Sequence, residues 1–196
     1  RFFMLDFPVI SFEYSNSLQA INERALNFHR IRLRIEHQLK LKKWGYLDYK
    51  IEGGKLWGKV PYPYLNFPIG NQSILNDDVA FNLMNYAEFA TDEYIAIQLE
   101  HHFEGLILNR LPGINKLKWR LFLLSKTYIG RRLQNKSTQY LSPLTIYNLD
   151  KPYFELGFGI ENIIKLGRVD FTWRMTHLNH KNIYRFLPKP SFQFRF

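Results

Sequence analysis

The sequence predicts an all-β fold, specifically an antiparallel transmembrane β-barrel, and two observations predict it. Polar and apolar residues alternate through much of the chain, with large aromatic side chains on the apolar side. Such period-two alternation gives a strand one apolar and one polar face, although a soluble strand can look the same. The chain also ends on this pattern, with Phe192, Phe194 and Phe196 at alternate positions. Terminal residues of soluble domains usually fray, so an aromatic terminus indicates an end held in place.

The bulk composition permits a barrel and excludes a membrane-spanning helix. None of the 196 residues falls in a run of about 18 consecutive apolar residues, which a spanning helix needs. A barrel does not need such a run because every second residue can be polar, so the mean hydropathy of −0.29 is compatible with one. Aromatic residues form 17% of the chain, enough for interfacial girdles. The absence of cysteine fits an exported protein without disulfides.

The net charge of +10 suggests nucleic-acid binding, which requires the basic residues to form a patch or stripe. Here Arg30, Arg32 and Arg34 instead alternate along a strand that continues to Glu36. We therefore expect no nucleic-acid partner. Basic barrel walls, or basic loops facing anionic lipid headgroups, explain the same excess of charge.

The first three strands are predicted at 3–14, 30–42 and 46–60. Pro8 removes a ladder donor from the first strand, which indicates an irregularity or an edge. The second strand is the clearest, because its charges would scatter around a helix but share one face of a strand. Gly53-Gly54 in the third strand indicates a bulge or sharp coiling.

Residues 61–78 cannot form a regular element, because three prolines interrupt both helices and sheets. Their content of Tyr, Phe and Leu indicates an ordered segment that packs against or inside the barrel. Residues 79–90 are predicted as a fourth strand, although apolar and polar residues fall on both of its faces.

Five further strands complete the prediction. In each of them, apolar residues occupy every second position. The runs lie at 94–104, 117–130, 153–160, 169–177 and 191–196.

A total of nine strands is odd, whereas single-chain bacterial barrels have even numbers of strands. We therefore expect further strands before Arg1, with residues 1–196 as the C-terminal portion of a larger barrel. The strand at 191–196 should then not pair with residues 3–14 to close a small ring.

Polar residues on the inner faces of the strands are predicted to form a network in the lumen. This network could select anionic solutes in a pore, or it could be a salt-bridge lattice that closes or stiffens the lumen, which we favour. The outer face, including Leu33, Leu99, Leu121, Phe158 and Trp173, should contact lipid. The lumen-facing network comprises Arg30, Arg32, Arg34, Glu36, Gln98, Glu100, His102, Glu104, Lys118, Arg120 and Arg174.

No catalytic residue, cofactor site or metal site is predicted, and we expect a protein that is not an enzyme. His101 and His102 point to opposite faces of a strand, so a metal would require His102 with Glu100 or Glu104 and a ligand from a neighbouring strand. A polar lumen network is the preferred interpretation. A hydrolase site using histidines and Ser125 is also weighed, but no spacing ties these residues together. The glycine runs lack the strand-to-helix context of a phosphate loop.

The last strand resembles those of bacterial outer-membrane barrels, where a terminal Phe forms part of the insertion signal. The resemblance implies that Phe192, Phe194 and Phe196 are this signal, read by the barrel assembly machinery. It also implies an outer-membrane location with the C-terminus in the periplasm and with membrane lipid and lipopolysaccharide as neighbours. The connections at 15–25, 61–78, 106–116 and 161–167 would then be periplasmic, and those at 43–45, 91–92, 131–151 and 178–190 would reach the surface.

Several runs resemble one particular family of unknown function. They include Asn82-Leu-Met-Asn-Tyr-Ala-Glu-Phe, Leu99-Glu-His-His-Phe-Glu-Gly, Lys116-Leu-Lys-Trp-Arg and Gly159-Ile-Glu-Asn-Ile. Over about residues 55–196 the chain is similar to the barrel end of Bacteroidota outer-membrane proteins with an N-terminal carboxypeptidase-regulatory-like domain. That domain is non-catalytic and is absent from this sequence. A looser similarity extends to barrels that insert or secrete other proteins, but their Val-Arg-Gly-Phe-type loop signature is missing.

These resemblances imply a non-enzymatic barrel that acts in envelope assembly or transport, or as a subunit of an outer-membrane complex. The alternative is a channel or receptor barrel for solute uptake.

Overall fold

The computed structural model describes residues 7–17, 27–60, 64–132 and 146–192. Within them, eight strands form one antiparallel sheet in which each strand pairs with its neighbours in sequence, which confirms the predicted all-β class. No helix in these ranges is long and apolar enough to cross a membrane. The strands are β1 (Val9–Asn16), β2 (Asn27–Lys40), β3 (Tyr46–Lys59), β4 (Glu93–Glu104), β5 (Arg120–Arg131), β6 (Tyr153–Ile163), β7 (Gly167–Arg174) and β8 (Phe186–Phe192).

The sheet is not closed by the residues that the structure describes. β1 pairs with β2 and β8 pairs with β7, so the two strands form the two edges of the described sheet. The prediction that the terminal strand does not pair with the first is confirmed for these residues.

The two faces of the sheet are inverted relative to a soluble protein. The inner face buries many charged and polar side chains together with apolar ones, whereas the outer face is apolar and largely exposed. Buried inner residues include His102, Lys126, Glu155, Glu161, Arg168, Asp170, Thr172, Arg174 and Lys189. Exposed outer residues include Ile10, Phe12, Leu33, Ile51, Trp57, Ile95, Leu99, Leu123, Ile129, Leu156, Phe158, Trp173, Phe186 and Phe192.

The hairpins alternate between the two ends of the sheet. Connections 41–45, 105–119 and 164–166 lie at one end, called here the lower end. Connections 60–92, 132–152 and 175–185 lie at the other, the upper end.

The predicted strand at 79–90 is wrong. These residues are irregular and lie against the inner face of the sheet, where side chains on both sides of the segment find buried contacts. The chain therefore crosses the sheet once less than predicted, and the connections at 43–45 and 61–78 lie at the opposite ends from those expected. The connection at 15–25 starts at the upper end, and its residues 18–25 lie outside the described ranges.

The last strand begins earlier than predicted, at Phe186, and residues 193–196 lie outside the described ranges. Pro188 and Pro190 made this stretch look like a loop. They are accommodated because β8 is an edge of the described sheet, where a missing N–H breaks no ladder bond.

Glycines in β6 let the inner layer pack closely. A Cβ at Gly159 would lie 2.1 Å from Cζ of Phe122 on β5 and 2.6 Å from the carbonyl oxygen of Val169 on β7. The Phe122 ring is fully buried there, with the guanidinium of Arg168 3.9 Å from its centroid. The absence of a side chain at Gly159 therefore leaves space for the Phe122 ring, which packs against the buried guanidinium of Arg168.

We expect Gly159→Ala to destabilise the protein by about 1–3 kcal/mol, because Phe122 must move out of its position. Gly53→Ala is the matched control, since a Cβ at Gly53 meets its nearest atom at an ordinary 3.7 Å. Urea unfolding in detergent, followed by tryptophan fluorescence, measures both variants. Equal urea midpoints of unfolding for the two variants would contradict the close packing at Gly159.

Candidate functional site: a plugged interior

Residues 64–92, called here the plug, connect β3 to β4 and lie against the inner face of the sheet. Isolated bridges between Asn66 and Thr91 and between Gly70 and Phe81 fold the plug back on itself. Of the segment predicted at 61–78 to pack against or inside the barrel, residues 65–71 are largely buried against the sheet, 72–78 are mostly exposed, and 61–63 lie outside the described residues.

Two apolar clusters join the plug to the wall of strands. Phe81, Met84 and Phe89 of the plug pack with three wall tyrosines, and Leu65 and Ala90 pack with a second wall group. Burial of this apolar surface supplies the non-directional part of the attachment. The wall residues are Tyr94, Tyr128 and Tyr153 in the first cluster, and Phe28, Leu56 and Val60 in the second.

Two buried charges of opposite sign hold the centre of the plug. The carboxylate of Glu155 accepts hydrogen bonds from the backbone N–H groups of Asn82 and Leu83, at 2.8 and 2.7 Å. The Lys126 ammonium donates to the carbonyl of Ala80 at 2.6 Å and to Oδ1 of Asn82 at 3.3 Å. Charge-assisted bonds such as these are the stronger kind, so they fix the position of the plug backbone.

A buried ion pair holds the upper part of the plug. Arg174 donates to both carboxylate oxygens of Glu88, at 2.5 and 2.9 Å, and both side chains are almost fully buried. Arg174 also donates to the carbonyls of Leu83 and His177. Glu88 lies 2.6 Å from Nδ1 of His180. The pair therefore connects the plug with β7 and with the 175–185 connection.

Connection 132–152 contacts the same part of the plug through an aromatic stack. The rings of Tyr147 and His180 are nearly parallel, with centroids 3.7 Å apart. The backbone N–H of Tyr147 also donates to the carbonyl of Glu88 at 2.9 Å. Connections 60–92, 132–152 and 175–185 thus meet at Glu88.

Side chains from three further strands also hold the plug. Lys189 on β8 is buried and donates to the carbonyl of Asn71 at 2.6 Å. On β4, the amide of Gln98 donates to the carbonyl of Val79 at 3.1 Å, and on β2 Arg30 donates to the carbonyl of Tyr64. The plug therefore contacts strands from β2 to β8, which requires the sheet to curve around it.

A charged layer fills the lower interior. Arg168 donates to both oxygens of Glu100 and to both oxygens of Asp170, at 2.6 to 3.1 Å. The guanidinium thus faces two carboxylates in a largely buried site, where an unpaired charge would be costly.

His102 lies in the same layer, between the stacked rings of Tyr46 and Phe122. Its ring nitrogens lie 3.4 Å from a carboxylate oxygen of Glu100 and 3.3 Å from one of Glu161. Within the described ranges, no group of three or more His, Cys, Asp or Glu side chains could hold a metal ion.

The predicted network residues fall into separate groups. Arg30, Arg32 and Arg34 line a cavity of about 360 Å³ between β2, β3, β4 and the plug. Arg34 pairs there with Glu36 and with Glu52, whereas Arg32 reaches Glu13 and Glu52. The other members lie elsewhere: Gln98 and Arg174 at the plug, and Glu100 and His102 in the lower layer.

Three predicted members lie at the lower rim. Arg120 lies 3.6 Å from Glu104, which has a positive φ of 52° and interrupts the register of β4. Lys118 does not face the lumen and the prediction is wrong, because β5 begins only at Arg120 and Lys118 lies exposed in a left-handed turn before it. Of the predicted insertion signal, Phe192 is exposed on the outer face, and Phe194 and Phe196 lie outside the described residues.

Several central residues are missing from the predicted network. Lys126 lies on the same face of β5 as Arg120, and Glu155 lies on the same face of β6 as Gly157. Strand alternation alone could therefore have added both to the network. Arg168 and Asp170 could have been found in the same way. Nothing local marks Lys189, which lies between two prolines.

Chemically, the site is a filled interior that holds a loop in place. The fold defines the class of protein as an antiparallel sheet with a plugged interior.

The chain belongs to a family described as a family of unknown function (DUF5686), C-terminal domain, which matches residues 3–160. Among solved structures, the chain is similar to a crystal structure of BamA from Haemophilus ducreyi lacking POTRA domains 1–3, at 12% identity and a TM-score of 0.48. The similarity covers 95% of this chain and 42% of that one, so this chain spans less than half its length. No curated protein matches.

The upper contacts involve two groups outside the strands with shifted pKa values. Burial alone would raise the pKa of Glu88, but hydrogen bonds from Arg174, from the N–H of Asn85 and from His180 outweigh it and lower this pKa. Burial lowers the pKa of His177, whose Nε2 lies 2.8 Å from the carbonyl of Lys151.

We expect acid to loosen the plug. Because both folded pKa values lie below the unfolded ones, both contributions are present at neutral pH and are lost as the pH falls. The His177 contribution declines below its ordinary value of 6.5, and the Glu88 contribution in the carboxylate range below 4.5. Hydrogen exchange of residues 64–92, corrected for intrinsic rates, should rise in these two steps. His177→Gln should remove only the first step, and pH-independent protection would contradict the assignment.

Proposed function

We propose that this protein is a non-enzymatic outer-membrane β-barrel with a plugged lumen, acting in envelope assembly or transport or as a subunit of an outer-membrane complex. The observation that carries the proposal is the inversion of the two sheet faces. Monomeric soluble proteins rarely expose so large an apolar surface to water. An apolar surface is stable against lipid, and a polar interior with an apolar outer band is the pattern of membrane barrels.

The tryptophans support the same placement. Trp44 and Trp119 lie at the lower end of the sheet, and Trp57 and Trp173 lie near the upper ends of their strands. All four tryptophans of the chain thus fall near the two ends, as expected for girdles at two membrane interfaces.

The lengths of the connections support an orientation with the upper end outside the cell. In outer-membrane barrels the surface loops are long and the periplasmic turns are short. The two longest connections between described strands, 60–92 and 132–152, lie at the upper end, and the two shortest, 41–45 and 164–166, lie at the lower end. Strand β8 runs toward the lower end, which agrees with a periplasmic C-terminus.

The proposed partners follow from this placement. They are outer-membrane lipid, lipopolysaccharide at the upper end, the barrel assembly machinery that would read the terminal Phe residues, and other subunits of an outer-membrane complex. A Bacteroidota origin and an N-terminal carboxypeptidase-regulatory-like domain are predictions from the motif resemblance. Because lipid offers no partner to bare backbone groups, we also propose that further strands complete the ring.

A second candidate is a channel or receptor barrel for solute uptake. The cavity beside the plug favours it, since four cations, Arg30, Arg32, Arg34 and Lys50, line it against one carboxylate, Glu52, and this excess would attract an anionic solute. The buried contacts of the plug favour the closed barrel. Planar-bilayer recording separates the two, because a plugged barrel shows no steady conductance and a channel does.

Extraction and gel mobility test the membrane placement. The protein should require detergent for extraction, and the folded form should migrate differently before and after heating. Recovery as a detergent-independent soluble monomer would contradict the proposal.

A further inference from the structure

The three connections at the lower end of the sheet carry only basic charges. Every charged residue in these connections, 41–45, 105–119 and 164–166, is a cation, and none is Asp or Glu. Within the described part of the chain, none of these cations forms an ion pair with a carboxylate. They are Lys42, Lys43, Arg110, Lys116, Lys118 and Lys165.

The same connections expose large apolar side chains. Ile164 is 89% exposed and Trp44 is 57% exposed, with the Lys43 ammonium 5.7 Å from the Trp44 ring centroid. Exposed apolar side chains and basic side chains therefore occur in the same connections. The other exposed apolar residues of this rim are Ile107, Leu111, Leu117 and Leu166.

The upper end differs in charge. The plug alone carries four carboxylates, Asp77, Asp78, Glu88 and Asp92. The asymmetry shows that the basic rim is a property of one end and does not simply follow from the net charge of +10.

A cleft of about 530 Å³ opens within the basic rim. Lys116, Lys118 and Arg120 line it, and the carboxylate of Glu104 lies nearest Arg120, at 3.6 Å. Two ammonium groups therefore lie beside the cleft without a carboxylate partner among the described residues. Side-chain amides of Asn109, Asn115 and Asn162 complete its polar lining.

We propose that the lower end binds the headgroups of anionic glycerophospholipids, with a headgroup phosphate in the cleft. This inference rests on the proposed membrane placement. Exposed apolar side chains enter the boundary between headgroups and acyl chains, as in interfacial segments. Lysines extend from the same rim to the phosphates, where each basic residue near an anionic surface adds to the attraction. An acidic protein would satisfy the charges but would not require the interleaved apolar residues.

Native mass spectrometry of the full chain in detergent tests the inference, with phosphatidylglycerol and phosphatidylcholine as probes. We expect selective retention of phosphatidylglycerol. The variant Lys43→Gln/Lys116→Gln/Lys118→Gln should weaken that binding about 10- to 100-fold. The matched control, Lys151→Gln/Lys181→Gln/Arg185→Gln, removes the same charge from the upper end and should leave binding unchanged.

Three outcomes would overturn the inference: equal retention of the two lipids, equal losses in the two triple variants, or displacement of phosphatidylglycerol by inorganic phosphate at comparable concentration. The last outcome would identify free phosphate as the ligand. Heat-modifiable mobility of the same samples reports the barrel independently. A normal mobility shift without lipid selectivity would therefore refute this inference and leave the proposed function standing.

Discussion

Replacing Arg174 by methionine should destabilise the protein by about 3–5 kcal/mol and release the upper part of the plug. The substitution leaves the Glu88 carboxylate buried without its main cation, and it removes donors from the carbonyls of Leu83 and His177. Removing one partner of a buried ion pair is far more costly than removing the pair, because the remaining charge is neither hydrated nor neutralised. The double variant Arg174→Met/Glu88→Leu should therefore recover part of the loss.

Urea unfolding in detergent measures the cost, and hydrogen exchange of residues 64–92 measures release of the plug. Arg131→Met is the matched control, since Arg131 pairs with Glu93 while its side chain is 68% exposed. Exposed pairs contribute about 0–1 kcal/mol. Similar losses in the Arg174 and Arg131 variants would contradict the role given to the buried pair.

Placing arginine at Leu33 should cost about 2–4 kcal/mol if the residue lies near the membrane midplane. Leu33 is in the middle of β2, on the outer face, opposite Phe12 on β1 and Gly53 on β3. A charge there would have to leave water for hydrocarbon. Arg32→Gln on the adjacent position should cost much less, because Arg32 faces inward and is partly exposed beside Glu13 and Glu52.

Folding equilibria in lipid vesicles measure both variants. Equal costs for Leu33→Arg and Arg32→Gln would mean that the assignment of the two faces is wrong.

Strand alternation predicted much of the sheet because it depends only on local geometry. In β2, for example, the charged positions from Arg30 to Glu36 face inward and Leu33 faces outward, as their parity requires. A residue's face follows from its position in the strand, so one sequence is sufficient for this step.

The plug could not be predicted in the same way. Residues 79–90 resemble a poor strand because they satisfy contacts on all sides, with Phe81 in an aromatic cluster and Asn82 bonded to Glu155 and Lys126. Those contacts join residues far apart in the chain, and no local pattern encodes them. The error also reversed the ends assigned to the preceding connections.

Nitroxide labels on β5 test the central claim most directly, because the chain has no cysteine of its own. Labels at Leu123→Cys and Ser125→Cys should face lipid, and one at Leu124→Cys should face the filled interior. In vesicles, the first two labels should collide readily with dissolved oxygen and hardly at all with an aqueous nickel chelate, while the third is shielded from both. Preferential collision of the two outer labels with the nickel chelate would show that this face lies in water, and would contradict the membrane barrel.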